Sequence, residues 1–364
     1  MRNLYFGISI APYRVDLCRW LHDRYSCDIY HRSGPSGNLA FNLSLVESEC
    51  GFPLLYYPNR GRNRSRLRTI ASIISKNDPE TVFVFEFSFL TLQVILIRLF
   101  RRKKFRIICF CDDSPDMIRG NDFSVFHRLA RWIVPRFLDN LILPNRESCE
   151  WYVSRFGKGV YFPIIADERR WRQKLSEALP LSQDLAARFF PDRKPVVLYV
   201  GRMAAVKNVP TLLKAFSPFV GRAHLVLIGE GEEMDHLREM DRRLGTKALF
   251  MGKLSGNELI AWYNIADVFA LPSTMEPFGA VTNEALMSGL YTLVSSRAGS
   301  VTLIESDQNG AVFNPDSIQE LTALLDRFIT LSEGKADTVC VKRDRMPYTF
   351  EESIVSAMEA IDRQ

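Results

Sequence analysis

The chain of 364 residues is 47% apolar, 12% aromatic and 24% charged, which excludes the disordered and fibrous classes and leaves core material for two domains of ordinary size. The net charge of +5 is uneven: residues 1–180 hold 28 Lys and Arg against 18 Asp and Glu, whereas 181–364 hold 19 against 24. Seven cysteines show no CxxC or zinc-ligand spacing, so free thiols in a reducing compartment are expected, with Cys109 and Cys111 buried in an apolar run.

The opening "MRNLYFGISIAPYRVD" meets a proline and charges too soon to read as a signal peptide or span. The longest apolar stretch, "FSFLTLQVILIRLF" (87–100), is shorter than the ~20 residues a membrane helix requires. A soluble cytoplasmic chain is the expectation. Strand candidates in the first half are 3–10, 28–33, 53–57, 81–87, 105–111, 140–144 and 159–162. Helix-period segments fall between most of them, the alternation of a parallel sheet covered by helices. After Pro163 a charged, Trp-containing stretch runs to "FFPDRKP" (189–195); it reads as a connector with one or two surface helices, and the domain boundary belongs there. The alternation restarts at 195–201, 224–229, 247–252, 267–272, 291–296 and 311–314, and an amphipathic helix closes the chain over 348–364. The fold class is therefore α/β, two doubly wound units at 1–165 and 166–347, with the closing helix packing on either.

In such sheets ligands bind beyond the carboxyl ends of strands. There "STMEPFGAVTNEALMSGL" (273–290) places Glu276 and Glu284 in apolar company. Pro277 reads as the first helical residue, so Glu276 stands at a helix tip and Glu284 about 8 Å deeper. No Lys or Arg lies three or four positions from Glu284, and hydroxyls of a bound ribose would satisfy it. The two acids straddle first-turn N–H groups suited to phosphate, a geometry that fits a sugar–diphosphate–ribose ligand. In "LYVGRMAAVKNVP" (198–210) a strand, the turn at Gly201 and a helix follow in order. Arg202 and Lys207 bracket that turn and could grip a diphosphate. In "LIGEGEEMDHL" (227–237), Gly229 and Gly231 would let a ligand approach the backbone.

In this order the motifs resemble glycosyltransferase family 4, the retaining nucleotide-sugar transferases of the GT-B fold. The likeness is good over 195–330, where "GRMAAVK" resembles the family's GRxxxxK element and "EPFGAVTNE" its pair of acids with seven residues between them. It is looser over 1–165, where "APYRVDLCRWL" (11–21) is similar to the opening of some members. The resemblance implies two Rossmann-like domains facing across a cleft, the first for the acceptor and the second for the donor. Arg202 and Lys207 would bind the donor diphosphate, Glu276 the donor sugar and Glu284 the ribose, with Phe278 and Gly279 supplying N–H groups. No cofactor or metal is implied, and the mechanism is front-face displacement. The usual glycine after the lysine is Asn208 here.

On the acceptor side, "CFCDDSPDM" (109–117) ends a strand in Asp112, Asp113 and Asp116. Many relatives carry a histidine in this loop. Asp113 is the first choice to face an acceptor hydroxyl; a metal-binding acid pair and a solvated helix-capping turn are the alternatives. Tyr13, Arg14 and Asp16 after the first strand could orient an acceptor, Arg14 its phosphate, unless Tyr13 packs and Arg14 pairs with an acid. His127 and the other histidines have no metal spacing and read as structural or exposed.

The basic clusters at 60–68 and 101–106 suit an anionic membrane surface and a lipid-linked acceptor, or simply a solvated helix face. The expectation is a glycosyltransferase of capsule, O-antigen or exopolysaccharide synthesis, peripheral on the inner face of the cell membrane, with no nucleic-acid partner. A nucleotide-sugar epimerase of the same fold and a non-catalytic lipid-binding protein are the other readings. A dehydrogenase would need a G-x-G-x-x-G turn that neither half supplies.

Overall fold

The computed structural model describes residues 2–7, 10–32, 43–57, 63–101, 104–120, 125–334 and 339–363. Each of the seven strand candidates of the first half forms a strand: β1 Asn3–Gly7, β2 Cys27–Arg32, β3 Leu55–Tyr57, β4 Thr81–Phe85, β5 Arg106–Phe110, β6 Asn140–Leu143 and β7 Val160–Tyr161. They pair in the order β3-β2-β1-β4-β5-β6-β7, all parallel. Helices cover the faces, so the central strands are apolar on both sides; Val82, Phe83 and Val84 are all fully buried. The six runs of the second half give β8 Val196–Val200, β9 His224–Ile228, β10 Leu249–Gly252, β11 Val268–Leu271, β12 Tyr291–Ser295 and β13 Gly310–Phe313. Their order is β10-β9-β8-β11-β12-β13, again all parallel.

The chain divides into two compact units, residues 1–166 with 353–364 and residues 167–352. The last residues of the helix Phe350–Arg363 thus belong to the first unit, where Arg106 Nη1 reaches Asp362 at 2.9 Å. In each unit the strand order turns back at a central pair, β1 with β4 and β8 with β11, and loops leaving those strands are where a doubly wound sheet holds ligands.

The stretch read as a surface connector is one helix, Glu168–Phe189, with Pro180 inside it. Trp171, Leu175, Ala178 and Ser182 recur at helical spacing and are buried. Its polarity belongs to the opposite side. Of the basic clusters, Arg60, Arg62, Arg102 and Lys103 lie outside the described residues. Among the described residues no helix is long and apolar enough to cross a membrane.

Candidate active site

In the second unit, the loop after β8 is sewn to its neighbours by backbone: Gly201 N–H donates to Ile228 O at 3.0 Å and Met203 N–H to Glu230 O at 2.9 Å. The turn Ala205–Lys207 follows. Thr274 N–H, from the loop after β11, donates to Val206 O at 2.8 Å. That bond seats one loop on the other and brings Lys207 Nζ into an ion pair with Glu276. Ser273 Oγ lies 3.4 Å from the same carboxylate oxygen. Arg202 is exposed and makes no side-chain hydrogen bond or ion pair among the described residues. Its carbonyl accepts from the buried Tyr199 hydroxyl at 2.9 Å. Burial chiefly raises the Tyr199 pKa, Glu276 raises it further and Arg202 opposes, so both charges act on one hydroxyl.

Asn208, in the position of the expected glycine, takes φ +52, the left-handed conformation that glycine adopts freely and asparagine tolerates best among other residues. Its Nδ2 donates to Pro315 O at 3.0 Å and its Oδ1 accepts from Thr211 Oγ1 at 2.9 Å. Asn208→Ala is expected to destabilise the chain by about 1–2 kcal/mol, through left-handed backbone cost and the lost side-chain hydrogen bonds, whereas Asn208→Gly, which loses the same bonds but meets no left-handed cost, should destabilise it less. Urea denaturation measures both.

The helix expected from Pro277 begins at Val281 and spans Val281–Met287. Gly279 explains the delay: its φ is +96 and a Cβ there would stand 2.8 Å from Leu271 Cδ2, a conformation no helix interior holds. Phe278 is buried, and its carbonyl accepts from Ser300 N–H at 2.8 Å. The N–H groups of Phe278, Gly279, Ala280 and Val281 have no acceptor among the described residues. Glu284 consequently stands in the helix's first turn, not deep within it.

Glu284 is half-buried and accepts a hydrogen bond from Tyr263 Oη at 2.8 Å. Its helix is anchored beneath by Trp171 Nε1, which donates to Ser288 Oγ at 2.9 Å, and Ser288 Oγ in turn donates to Glu284 O at 2.7 Å. Burial pushes the Glu284 carboxyl up to about 7, against the pull of Tyr263 and Lys174. With its folded value above its unfolded one, the group favours folding at low pH, and that contribution is lost as pH rises through about 7. Ribose hydroxyls would bind the ionised form, so nucleotide affinity should rise across that window. Glu284→Gln should flatten both trends, read as Tm against pH with and without UDP. Tyr263 sits in the helix Gly256–Ile265 among buried apolar residues, and nothing in its local sequence marked it.

Gly229 and Gly231 serve the protein's own backbone. A Cβ on Gly229 would fall 1.8 Å from Gly201 O, and one on Gly231 would fall 2.3 Å from Met203 O. The direction a side chain would take from either glycine is filled by the loop after β8.

In the first unit, Arg14 is buried, stacked over Phe85 at 4.9 Å and ion-paired with Asp112. Pairing with an acid, rather than an open phosphate contact, describes it. Tyr13 and Asp16 are half-buried. Asp112 N–H donates to Glu86 Oε1 at 3.0 Å. Glu86, which no motif marked, follows β4 at φ +59; burial first, then Asp112, pushes its carboxyl up to about 8. Asp113 does not face an open hydroxyl site. It is buried, and its oxygens accept from Arg131 Nε at 2.8 Å, Arg131 Nη2 at 3.3 Å and Tyr152 Oη at 2.6 Å, with His127 Nε2 at 3.4 Å. Among the described residues no three His, Cys, Asp or Glu side chains form a metal-holding group.

Residues 183–345 match the family model described as "Glycosyl transferases group 1". An uncharacterized glycosyltransferase of Methanocaldococcus jannaschii is 37% identical over 134 residues, 35% of this chain and 34% of its own length. The sulfoquinovosyl transferase of Arabidopsis thaliana is 36% identical over 152 residues, 39% of this chain and 29% of its own. A GDP-mannose-dependent alpha-mannosyltransferase of Mycobacterium tuberculosis is 34% identical over 195 residues, 52% of this chain and 45% of its own. The chain therefore spans less than half the length of these curated relatives. Anabaena HepE, solved in complex with UDP, superposes with a TM-score of 0.77 at 17% identity over 100% of both chains. With two all-parallel α/β units and this likeness, the fold is GT-B.

Proposed function

We propose that the chain is a retaining glycosyltransferase that moves a sugar from a nucleoside diphosphate sugar to a hydroxyl of a lipid-linked saccharide, in surface-polysaccharide assembly at the inner face of the cell membrane. One observation carries the reading: Lys207 paired with Glu276, on the loop that carries the exposed Arg202, with N–H groups at 278–281 that have no acceptor among the described residues. The glycosyltransferase match falls on these same residues.

Arg202 and Lys207 stabilise the charge that develops on the departing diphosphate, assisted by N–H groups already oriented before the reaction. Glu276, held by Lys207, takes hydroxyls of the donor sugar, and Glu284 takes those of the ribose. The anomeric carbon–oxygen bond to phosphate breaks and the bond to the acceptor oxygen forms on the same face. The acceptor proton passes to the leaving phosphate, so no enzymic nucleophile takes part, and a metal is not required in this scheme. Asp112 and Glu86 orient the acceptor in the first unit.

UDP-sugars are the first donors to test, because the Anabaena neighbour was solved with UDP. Thermal shift against UDP-, GDP-, ADP- and TDP-sugars should show stabilisation by one base class, lost in Glu284→Ala. No stabilisation by any of them would overturn the donor site.

A further inference from the structure

The helix Val125–Ile133 is inside out. Arg131 is buried and His127 half-buried against Asp113, whereas Val125, Phe126 (77% exposed), Leu129, Trp132 and Ile133 face solvent. A surface helix in water ordinarily turns its apolar stripe to the core. The exposed apolar face continues on both sides. Leu96, Leu99 and Phe100 (82% exposed) lie on the helix Phe89–Arg101, whose Arg98 donates to the carbonyl of the exposed Phe137 and pairs with Asp139. On the other side Trp132 meets Trp151 at 5.6 Å and Phe156 at 6.2 Å, in the helix Arg146–Phe156. All three helices pack on one core, through Val94 and Ile97, Ala130, and Tyr152 respectively.

Cations outnumber acids on this face: Lys104, Arg128 and Arg136 are exposed, Asp139 is taken up by Arg98, and the helix Arg146–Phe156 adds Glu147 and Glu150. In the sequence, residues 89–105 and 123–138 contain no acid. Cations also lie against the aromatic rings: Arg155 is 4.2 Å from the Trp151 centroid and Arg136 is 5.2 Å from that of Phe156. Apolar and aromatic side chains bordered by Lys and Arg are the composition that lies in a lipid interface. A symmetric dimer through the same face would set these cations against their own copies.

We propose that this face of the first unit docks on an anionic lipid bilayer, with Phe100, Phe126, Leu129 and Trp132 entering the headgroup layer and Lys104, Arg128 and Arg136 meeting lipid phosphates. The proposal deepens the functional reading above and rests on its lipid-borne acceptor. It also gives His127 and Arg131 a second consequence: the helix that meets the lipid holds Asp113, and through it the loop after β5 that carries Asp112.

Flotation of the full chain with vesicles of equimolar phosphatidylglycerol and phosphatidylcholine tests it. The double variant Phe126→Glu with Leu129→Glu should lower the partition coefficient at least about tenfold. Arg128→Glu with Arg136→Glu should lower it by a similar factor and flatten its salt dependence. Both pairs are exposed, so Tm and its shift by UDP should match those of the unaltered chain. Unchanged flotation of the apolar variant would overturn the proposal. So would a concentration-dependent dimer, seen without vesicles and dissolved by that variant, because it would assign the face to a second copy. Flotation without any nucleotide-induced Tm shift in the unaltered chain would instead sink the donor reading and leave docking in place.

Discussion

Lys207→Ala is expected to lower kcat/KM for sugar transfer by about 10²–10³-fold, the effect of deleting one preorganised group that meets developing negative charge. Two consequences of the substitution act in the same direction. On the proposed reading the diphosphate loses a cation that the turn Ala205–Lys207 holds in place, and Glu276 loses its ion-pair partner, so the carboxylate proposed for sugar hydroxyls would also repel the phosphate. Most of the loss should fall on kcat if the lysine acts on the leaving group as charge builds, and on KM if it only binds the ground state. Lys207→Arg should recover part of the rate, since the charge returns on a bulkier, planar head. Initial rates of nucleoside diphosphate release across donor concentrations separate these cases. A Lys207→Ala enzyme within about threefold of the unaltered rate would remove the lysine from the proposed mechanism.

The central strands were legible because they are buried on both faces and read as unbroken apolar runs, and their parallel order followed from the helices between them; β2, half-buried at alternate positions, showed itself by its place in the series. Their ends were less so. The run read as 81–87 stops at Phe85 because Glu86 turns to φ +59, a backbone choice set by its contacts with the loop after β5. The helix start at Pro277 failed for a related reason: proline suits a first helical turn, but Gly279 two residues on takes φ +96. The pairing of Lys207 with Glu276 joins residues 69 apart, and their approach became visible only once β8 and β11 were neighbours. Tyr263, Arg131 and Tyr152 also lack a local signal, since each acts on an acid brought close by tertiary packing. The helix Glu168–Phe189 misled in the other direction, because its many charges on one side outweighed Trp171 and Leu175 on the other.

Asp113→Ala should destabilise the first unit by about 3–5 kcal/mol, the cost of breaking a buried ion pair by removing one partner. The substitution leaves the Arg131 guanidinium buried without its carboxylate, and the Tyr152 hydroxyl without its 2.6 Å acceptor. Burial alone would raise the Asp113 pKa, yet hydrogen bonds from His127, Arg131 and Tyr152 outweigh it and hold the group below its usual value. A depressed folded-state pKa contributes stability that is complete above the unfolded value and is lost as pH falls through the folded one. The unaltered chain should therefore lose stability on acidification more steeply than Asp113→Ala, and the two curves of unfolding free energy against pH should converge at low pH. Asp113→Asn, which keeps the shape and one acceptor oxygen, should fall between them. Below the unfolding range, Asp113→Ala should retain donor-induced stabilisation, because Glu276, Glu284 and Lys207 belong to the other unit. If instead Asp113→Ala leaves stability unchanged while abolishing sugar transfer, the acid acts on the reaction and not as the anchor of the helix Val125–Ile133.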